Sequence, residues 1–283
     1  MLVLKRLTAA AVTIGALIAV LGTAWAGDGQ PSNWQTSFQL SATPVMDEIV
    51  KFHTWLLYTI TAIAGFVLVL LIIIMVRFNV RANPTPSRTT HNTLIEIVWT
   101  VVPVIILVAI AVPSFRLLFT QLNIPAADLT VKATGKQWFW TYTYPDGKFE
   151  FDSLMIRDNT QLGDKPRLLG VDNEMVVPVN KTVRVLTTGA EVIHAFAVPS
   201  FGIKIDAIPG RINETWFKAT REGIYYGQCS ELCGKDHAFM PIAVRVVSEQ
   251  AYGAWAEDAK KKWALRDDGA PTNIAAAEQS TAR

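Results

Sequence analysis

Hydrophobic positions are distributed unevenly along the 283-residue chain, and the pattern changes character part-way along it. Two uncharged apolar stretches cover residues 54–76 and 97–115, which are 23 and 19 residues long. An α-helix rises about 1.5 Å per residue, so these stretches can cross a hydrocarbon layer of about 30 Å, the second one only just. We therefore predict two transmembrane helices with these bounds. Two buried helices of a soluble core are the alternative.

An earlier apolar run has the features of a bacterial export signal. It covers residues 7–21, follows two basic residues, and precedes the small-residue pattern AWA at 24–26. We predict that residues 1–26 are a signal peptide that is removed during export. A short uncleaved anchor is the alternative interpretation of the same run.

The charges around the two predicted helices indicate their orientation. The connecting loop, residues 77–96, carries three arginines and one acid, Glu96, at its far end. Because short basic loops remain on the cytoplasmic side, both ends of the hairpin should face outward. We therefore assign residues 27–116 to a short segment and a helical hairpin in the bacterial inner membrane. The rest of the chain should lie in the periplasm.

From residue 117 onward, short segments rich in Val, Ile, Thr and aromatic residues alternate with Gly, Pro, Asn and Asp. This pattern predicts that residues 117–250 form an all-β sandwich or Greek-key barrel. Residues 251–283 are rich in alanine and charge, which predicts a helix and a flexible tail. No basic patch with interleaved aromatic residues indicates a nucleic-acid partner. The predicted strand segments are DLTVKATG, QWFWTYTYPDG, KTVRVLTTG, EVIHAFAVPSFG, NETWFKAT and MPIAVRVV.

Both cysteines of the chain lie in one segment, GQCSELCGKDHAFMP, at residues 227–241. There, Cys229 and Cys233 are followed by His237 and Met240. Thiolate, imidazole and thioether form a soft ligand set, which favours copper over magnesium or calcium. In an exported protein a plain disulfide is the simplest alternative, and a zinc site is another.

The histidines of the chain supply one more candidate ligand. His53 and His91 lie at opposite ends of the membrane hairpin, so only His194 shares the β domain with His237. Two thiolates, two imidazoles and one thioether exceed the needs of a single trigonal copper. They suit two coppers bridged by both sulfurs, with one histidine for each metal. One electron shared by two metals changes each metal–ligand bond less, which favours fast electron transfer.

Three motifs carry a specific family resemblance. The segments YYGQCSELCGKDHAFMP, IKIDAIPGRINE and GKQWFWTYTYPDG follow a two-helix hairpin, and the chain resembles cytochrome c oxidase subunit II over residues 35–263. This resemblance implies a cupredoxin-like Greek-key barrel that carries a binuclear copper centre. It implies that electrons arrive from cytochrome c and pass to the haems of subunit I, where oxygen is reduced to water and protons are translocated. The implied partners are subunit I, other oxidase subunits, cytochrome c and membrane lipid.

The resemblance also implies which residues hold the two copper ions. Cys229 and Cys233 would bridge the metals. His194 and Met240 would complete one copper, and His237 with a main-chain carbonyl would complete the other.

Two acids have roles that the resemblance implies. Glu231 would supply the main-chain carbonyl, and its side chain would hold a magnesium ion shared with subunit I; a solvated loop acid is the alternative. Glu96 would lie at the mouth of a proton path into subunit I. The alternative for Glu96 is a carboxylate that complements the dipole of the second helix.

Electrons from cytochrome c would arrive at Trp138, by the same resemblance. The other aromatic residues on its face of the strand are expected to be core or subunit contacts. Asp172 and Glu191 match acids that attract the lysine-rich rim of the cytochrome. The expected docking surface carries less negative charge here than is common in the family. Ala190 stands where a neighbouring acid is common, and Lys136 adds a positive charge beside Trp138.

A membrane-tethered copper chaperone is the competing function. Such proteins also combine a C-x-x-x-C motif with a distant histidine, but they place the motif early in a thioredoxin-like α/β domain. Here the motif lies near the end of a predicted all-β domain, and Met240 has no role in such a chaperone. A quinol-oxidase subunit of the same fold would lack the copper ligands.

Overall fold

The computed structural model of the protein describes residues 29–265. The predicted signal peptide, residues 1–26, and the predicted tail beyond residue 265 lie outside this range. Within it, two long helices precede ten strands, and one further helix follows them. The two long helices have the length and composition of membrane spans. The predicted fold class, a helical hairpin followed by an all-β domain, is therefore confirmed.

Both long helices extend beyond the predicted bounds of 54–76 and 97–115. Helix α1 covers Pro44–Arg77 and helix α2 covers Thr93–Leu122. The predicted bounds followed the uncharged stretches, but helical hydrogen bonding continues into polar sequence until a capping residue ends it. The side chain of Thr43 accepts a hydrogen bond from a first-turn amide of α1, which fixes where this helix begins.

The side chains of α1 and α2 are exposed over most of both helices. Val45 and Met46 are buried at the start of α1, and no described residue of α2 is buried. An apolar surface of this extent requires lipid or a protein partner around it. Pro103 and Pro113 lie inside α2. Proline is tolerated within membrane helices when neighbouring groups satisfy the freed carbonyls.

Ten strands form two five-stranded sheets that enclose a common core. The strand order is β3-β2-β1-β5-β8 in the first sheet and β4-β10-β9-β6-β7 in the second. Neighbouring strands are antiparallel, except that β1 is parallel to β5 and β4 is parallel to β10. The strands are β1 Leu129–Lys136, β2 Phe139–Tyr144, β3 Phe149–Ser153, β4 Met175–Pro178, β5 Thr182–Gly189, β6 His194–Val198, β7 Ile203–Ala207, β8 Asn213–Lys218, β9 Gly223–Cys229 and β10 Pro241–Val247.

The core lies between the sheets and is rich in aromatic side chains. Three aromatic residues of β2, namely Trp140, Tyr142 and Tyr144, are buried there as predicted. The hydroxyl of Tyr144 donates to the carbonyl of Val176 at 2.8 Å and accepts from its amide at 3.0 Å, which ties β2 of one sheet to β4 of the other. Burial of a large apolar side chain contributes about 1.5–3 kcal/mol, so this core holds the loops at its ends in fixed positions.

Residues 29–43, which we call the N-terminal strap, pack against the β domain before α1 begins. The carbonyl of Gly29 accepts a hydrogen bond from the amide of Tyr226 at 2.8 Å. At the other end of the strap, the hydroxyl of Thr43 donates to the carbonyl of Phe201 at 2.8 Å. The first membrane helix therefore starts from a residue that is bonded to the β domain.

The last helix, α3, covers Glu249–Trp263 and closes one edge of the core. Trp263 stacks on Phe151 with ring centroids 4.7 Å apart. At the other boundary, α2 ends at Leu122 and β1 starts at Leu129, so the strands begin after the predicted boundary at residue 117.

Candidate metal centre

Three strands of the second sheet bring the candidate metal ligands together. His194 is the first residue of β6, Cys229 is the last residue of β9, and Met240 directly precedes β10. Strand β9 pairs with both β6 and β10, so all three positions lie at the same end of the sheet. Cys233 and His237 follow in the loop that connects β9 to β10.

The two cysteines are close but not bonded to each other. Their Sγ atoms are 3.9 Å apart, whereas a disulfide requires about 2.05 Å. Cys229 Sγ lies 3.8 Å from Nδ1 of His194 and 3.3 Å from the main-chain oxygen of Glu231. The simple disulfide considered from the sequence is therefore not the arrangement found.

Cys233 has a matching pair of neighbours. Its Sγ lies 3.5 Å from Nδ1 of His237 and 3.5 Å from Sδ of Met240. Each sulfur thus has one imidazole nitrogen and one weaker donor beside it. The ligand atoms of His194, Cys229 and Cys233 all lie within 4.8 Å of one another.

These separations have the size of the edges of a metal coordination shell. Sulfur and nitrogen ligands bind a metal at about 2.3 Å and 2.0–2.1 Å, so neighbouring ligands of a tetrahedral ion are roughly 3.3–3.8 Å apart. The distances from Cys229 and Cys233 to their neighbours are between 3.3 and 3.9 Å. The residues present therefore fit a soft metal, and two shared sulfurs leave room for two ions.

Burial sets the protonation of the metal-free site. Burial, with the charge of His237 as a smaller cause, lowers the pKa of His194 to about 4. Burial, with the charge of Cys229 as the next cause, raises the pKa of Cys233 to about 12. At neutral pH the imidazole of His194 is therefore neutral and ready to bind a metal. The thiol of Cys233 keeps its proton until a metal replaces it.

The low pKa of His194 predicts that the metal-free β domain loses stability in acid. The pKa is about 6.5 for an unfolded histidine, so the unfolded chain binds the proton more strongly and folding weakens as the pH falls from about 6.5 to 4. The loss from this residue should be about 3 kcal/mol. Thermal unfolding of the metal-free chain in detergent, followed by near-ultraviolet circular dichroism, measures it. His194→Asn should show a weaker acid dependence, and an equal dependence in both proteins would contradict the prediction.

Trp138 lies against the loop that carries Cys233. Its indole Nε1 donates to the main-chain oxygen of Cys233 at 3.1 Å. A Cβ atom on Gly234 would lie 2.8 Å from the indole ring, so the loop can pass this close only with glycine at that position. The ammonium of Lys235 lies 5.4 Å from the ring centroid. Three consecutive residues of the loop between β9 and β10, which we call the metal loop, therefore surround one half-buried tryptophan.

The two predicted docking acids are both exposed, and they differ in their local bonding. Asp172 accepts hydrogen bonds from the amides of Leu154 at 2.8 Å and Asn173 at 2.7 Å, so it also stabilises its own loop. Although the side chain is exposed, partial desolvation by the protein around it raises the pKa of Asp172, and these hydrogen bonds oppose the shift. Glu191 lies three residues before His194, a candidate metal ligand.

Lys136 reduces the negative charge of the predicted docking surface, but its own positive charge is partly neutralised. Its Nζ lies 3.9 Å from the carboxylate of Asp152 and 5.3 Å from the ring centroid of Phe139. Its positive charge beside Trp138 is therefore smaller in effect than the sequence alone indicates.

Two other acids predicted to be functional lie apart from each other. The side chain of Glu231 is exposed on the metal loop, while its carbonyl faces Cys229. Glu96 lies in the first turn of α2, where its carboxylate accepts from the amide of Asn92 at 3.3 Å. The 30 residues of α2 correspond to about 45 Å, so Glu96 is remote from the sulfur cluster.

Some residues that support the site were not found from the sequence. Trp140 donates a hydrogen bond to the main chain at Met240, and Arg157 lies 3.2 Å from Asp236, which directly precedes His237. Neither contact could be recognised from a short sequence pattern, because each joins segments more than 70 residues apart.

Comparison with known proteins identifies the family. Residues 129–247 match the family model for cytochrome C oxidase subunit II, periplasmic domain, and residues 31–117 match that for its transmembrane domain. A probable cytochrome c oxidase subunit 2 of Rickettsia bellii is 54% identical over 243 residues, which are 86% of this chain and 90% of the relative. The chain belongs to the cytochrome c oxidase subunit II family. The resemblance inferred from the sequence is thereby confirmed.

Other members of the family are similar over comparable lengths. Cytochrome c oxidase subunit 2 of Cereibacter sphaeroides is 49% identical over 250 residues, which are 82% of each chain. The crystal structure of the periplasmic domain of subunit II of cytochrome oxidase from Bradyrhizobium japonicum is 69% identical. It covers 50% of this chain and 100% of its own, with a TM-score of 0.48.

Membership of the cytochrome c oxidase subunit II family makes this chain part of a haem-copper oxidase, an oxidoreductase complex. The strands β1 to β10 coincide with the family's periplasmic domain, which has the predicted cupredoxin-like fold, and the hairpin coincides with its transmembrane domain. The individual roles of the site residues remain predictions.

Proposed function

We propose that this chain accepts electrons from cytochrome c at a binuclear copper centre and passes them to the haems of subunit I. The observation that carries this proposal is the pair of unbonded thiols 3.9 Å apart, each beside one imidazole and one weaker donor. Bound copper supplies a one-electron couple at this position. In subunit I, oxygen would be reduced to water and protons translocated.

The proposed ligands divide into a shared pair and two unshared pairs. Cys229 and Cys233 would be shared by both coppers. His194 and Met240 would complete one copper, and His237 and the carbonyl of Glu231 would complete the other. The contacts of the sulfurs support their sharing, because Cys229 and Cys233 each lie beside one proposed ligand of each copper.

The surrounding residues favour electron transfer over substrate chemistry. His194, Cys229 and Met240 are buried at strand ends, so the ligand positions change little when charge arrives. Trp138 is half-buried, and its indole bonds directly to the backbone of Cys233. It therefore supplies a short route from the protein surface to a bridging sulfur.

Electron paramagnetic resonance of the copper-loaded chain in detergent tests this proposal. An unpaired electron shared by two copper nuclei gives more hyperfine lines than one nucleus can give. We expect such a pattern together with two coppers per chain. A single-copper pattern, or a site that holds only zinc, contradicts the proposal and would restore the zinc or copper-chaperone alternatives.

The side chain of Glu231 is proposed to hold a magnesium ion at the contact with subunit I. Its carboxylate is exposed while its own carbonyl faces Cys229, so one residue can join a metal of the partner interface to the copper site. Glu231→Gln should therefore reduce the magnesium content of the assembled oxidase and leave its copper content unchanged. Unchanged magnesium would return this residue to the role of a solvated loop acid.

Glu96 is proposed to admit protons to subunit I from the cytoplasmic side. Its bond to the amide of Asn92 shows that it also caps α2, and glutamine can retain that bond. Glu96→Gln should slow turnover of the assembled oxidase without changing the copper spectrum or the Michaelis constant for cytochrome c. Turnover equal to wild type at every pH would leave Glu96 with its capping role alone.

The location proposed is the bacterial inner membrane, with the β domain in the periplasm and residues 1–26 removed. The three arginines of the loop between α1 and α2 support this orientation. A reporter that is active only in the periplasm should function when fused after Phe119 and fail when fused at Asn83. The reverse pattern would place the metal centre in the cytoplasm.

A further inference from the structure

The geometry points to Trp140 as a positioning residue that holds the unshared ligands of one copper, His194 and Met240, in a fixed relation. This inference rests on the proposed copper site. The indole Nε1 of Trp140 donates to the main-chain oxygen of Met240 at 3.2 Å. The centroid of the same ring lies 5.9 Å from that of His194, at an interplanar angle of 60°.

Met240 needs this anchor because its own segment offers few others. It lies between a short turn, His237–Phe239, and the first residue of β10, and its backbone is not regular. The next residue is Pro241, which has no amide hydrogen to donate. The hydrogen bond from Trp140 therefore fixes the peptide that joins Met240 to the strand, and with it the origin of the thioether side chain.

The ring of His194 is confined on two sides. Gly135 of β1 pairs with Trp140 of β2, and a Cβ atom on Gly135 would lie only 2.6 Å from Cδ2 of His194. The imidazole therefore packs on bare backbone on one side and faces the indole on another. This explains why a glycine is required at the end of a regular strand.

Trp140 is itself immobile, which a positioning residue must be. Its side chain has no solvent exposure, and the ring of Phe196 packs edge-on against it at 5.4 Å. Phe196 lies two residues after His194, on the same face of β6. The strand that carries His194 therefore also supplies a ring that holds the indole of Trp140 in place.

Within residues 29–265, no aromatic ring packs against His237 as Trp140 packs against His194. His237 lies in a loop and is partly exposed, and its amide bonds to the carbonyl of Gly234 at 3.2 Å. Trp140 therefore acts on the His194–Met240 side alone. Its predicted effect is to set how evenly the two coppers share the electron.

Trp140→Phe tests this role, because phenylalanine keeps an aromatic ring and removes the hydrogen bond. The copper-loaded chain should still bind two coppers, but its hyperfine pattern should become less even. Copper loss to a chelator should be about tenfold faster, the scale expected for one buried hydrogen bond. The matched control is Trp255→Phe, since Trp255 packs on Tyr144 at the far end of β2. The control should match wild type in both measurements.

A second substitution separates positioning from general packing. In a Met240→Leu background the thioether is already absent, so Trp140→Phe should change the hyperfine pattern much less than in wild type. An effect of equal size in both backgrounds would mean that Trp140 does not act through Met240, which overturns the inference. If wild type itself lacks the two-copper pattern, the proposed function fails rather than the positioning role.

If Trp140→Phe does not fold, a measurement on the unmodified chain can test the hydrogen bond between Trp140 and Met240. Hydrogen exchange of the tryptophan side chains, read from their nitrogen-15 signals without metal, reports the hydrogen bond directly. The indole hydrogen of Trp140 should exchange far more slowly than that of Trp34, which is 92% exposed. Exchange as fast as that of Trp34 would show that the bond to Met240 is not held, and would overturn the inference.

Discussion

Cys233→Ser is expected to abolish the shared copper pair. The sulfur of Cys233 lies 3.5–3.9 Å from three other proposed donors, those of Cys229, His237 and Met240. Its loss therefore removes a ligand from both metals at once. Loss of a residue that only supports a metal ligand already costs 10–100-fold in affinity, so loss of this ligand should cost at least about 100-fold. Copper content and electron paramagnetic resonance measure the result.

Two variants complete the Cys233 experiment. Cys229→Ser should give the same loss, because its sulfur is the other proposed bridge. Leu232→Ala is the matched control, since Leu232 lies in the same loop and is 79% exposed. A Cys233→Ser protein with unchanged copper count and spectrum would disprove the bridging assignment.

Trp138→Gln should separate docking of cytochrome c from the arrival of electrons. Glutamine can still donate to the carbonyl of Cys233, but it lacks the aromatic ring between the surface and the metal loop. Reduction of the copper should slow by roughly 100-fold, the scale of losing a reactive geometry. The affinity for cytochrome c should stay close to wild type. Stopped-flow reduction across a salt series measures both quantities.

Substitution of Asp172, a proposed docking acid, should affect docking of the cytochrome more than the arrival of electrons. Asp172→Asn retains the carbonyl oxygen that accepts from Leu154 and Asn173, so the loop should keep its shape. It should raise the Michaelis constant at low salt and affect the limiting rate less, and Glu191→Gln should act in the same direction. If Trp138→Gln weakens only affinity, Trp138 is a packing residue and electrons arrive elsewhere.

Lys235 is expected to oppose the docking of a cationic cytochrome. Its ammonium lies over the ring of Trp138, where a lysine-rich partner would approach. Lys235→Gln should therefore lower the Michaelis constant for a cationic cytochrome at low salt, opposite in sign to Asp172→Asn.

The strands that the sequence predicts are those with long alternating or β-branched runs. Segments such as KTVRVLTTG contain one strand each, and all six such segments do. Strands β3, β4, β7 and β9 were not among them. Strand β4, Met175–Pro178, has only four residues and is buried throughout, so it shows no alternation. Strand β9, Gly223–Cys229, contains two glycines and its burial does not alternate strictly, so its sequence lacks the usual strand pattern.

The proposed metal ligands could be selected from the sequence because few residues of their type exist. Two cysteines and a single suitable additional histidine leave little choice of ligands, and the soft character of these side chains favours copper. The support of the site was not predictable in that way. Gly135 and Trp140 matter through a cross-strand pair and through contact with Met240 100 residues away. Only the assembled sheets bring those positions together.

The N-terminal strap has a consequence for biosynthesis. Ala42 lies in the core of the β domain and bonds to Ser200 and Thr220, which are made more than 150 residues later. Contacts of such long sequence separation form slowly, because the chain must close a large loop first. The segment before α1 must therefore wait for these partners until nearly the whole β domain has been synthesised. A fragment that starts at β1 would lack this closing piece and leave Ser200 and Thr220 without their partner.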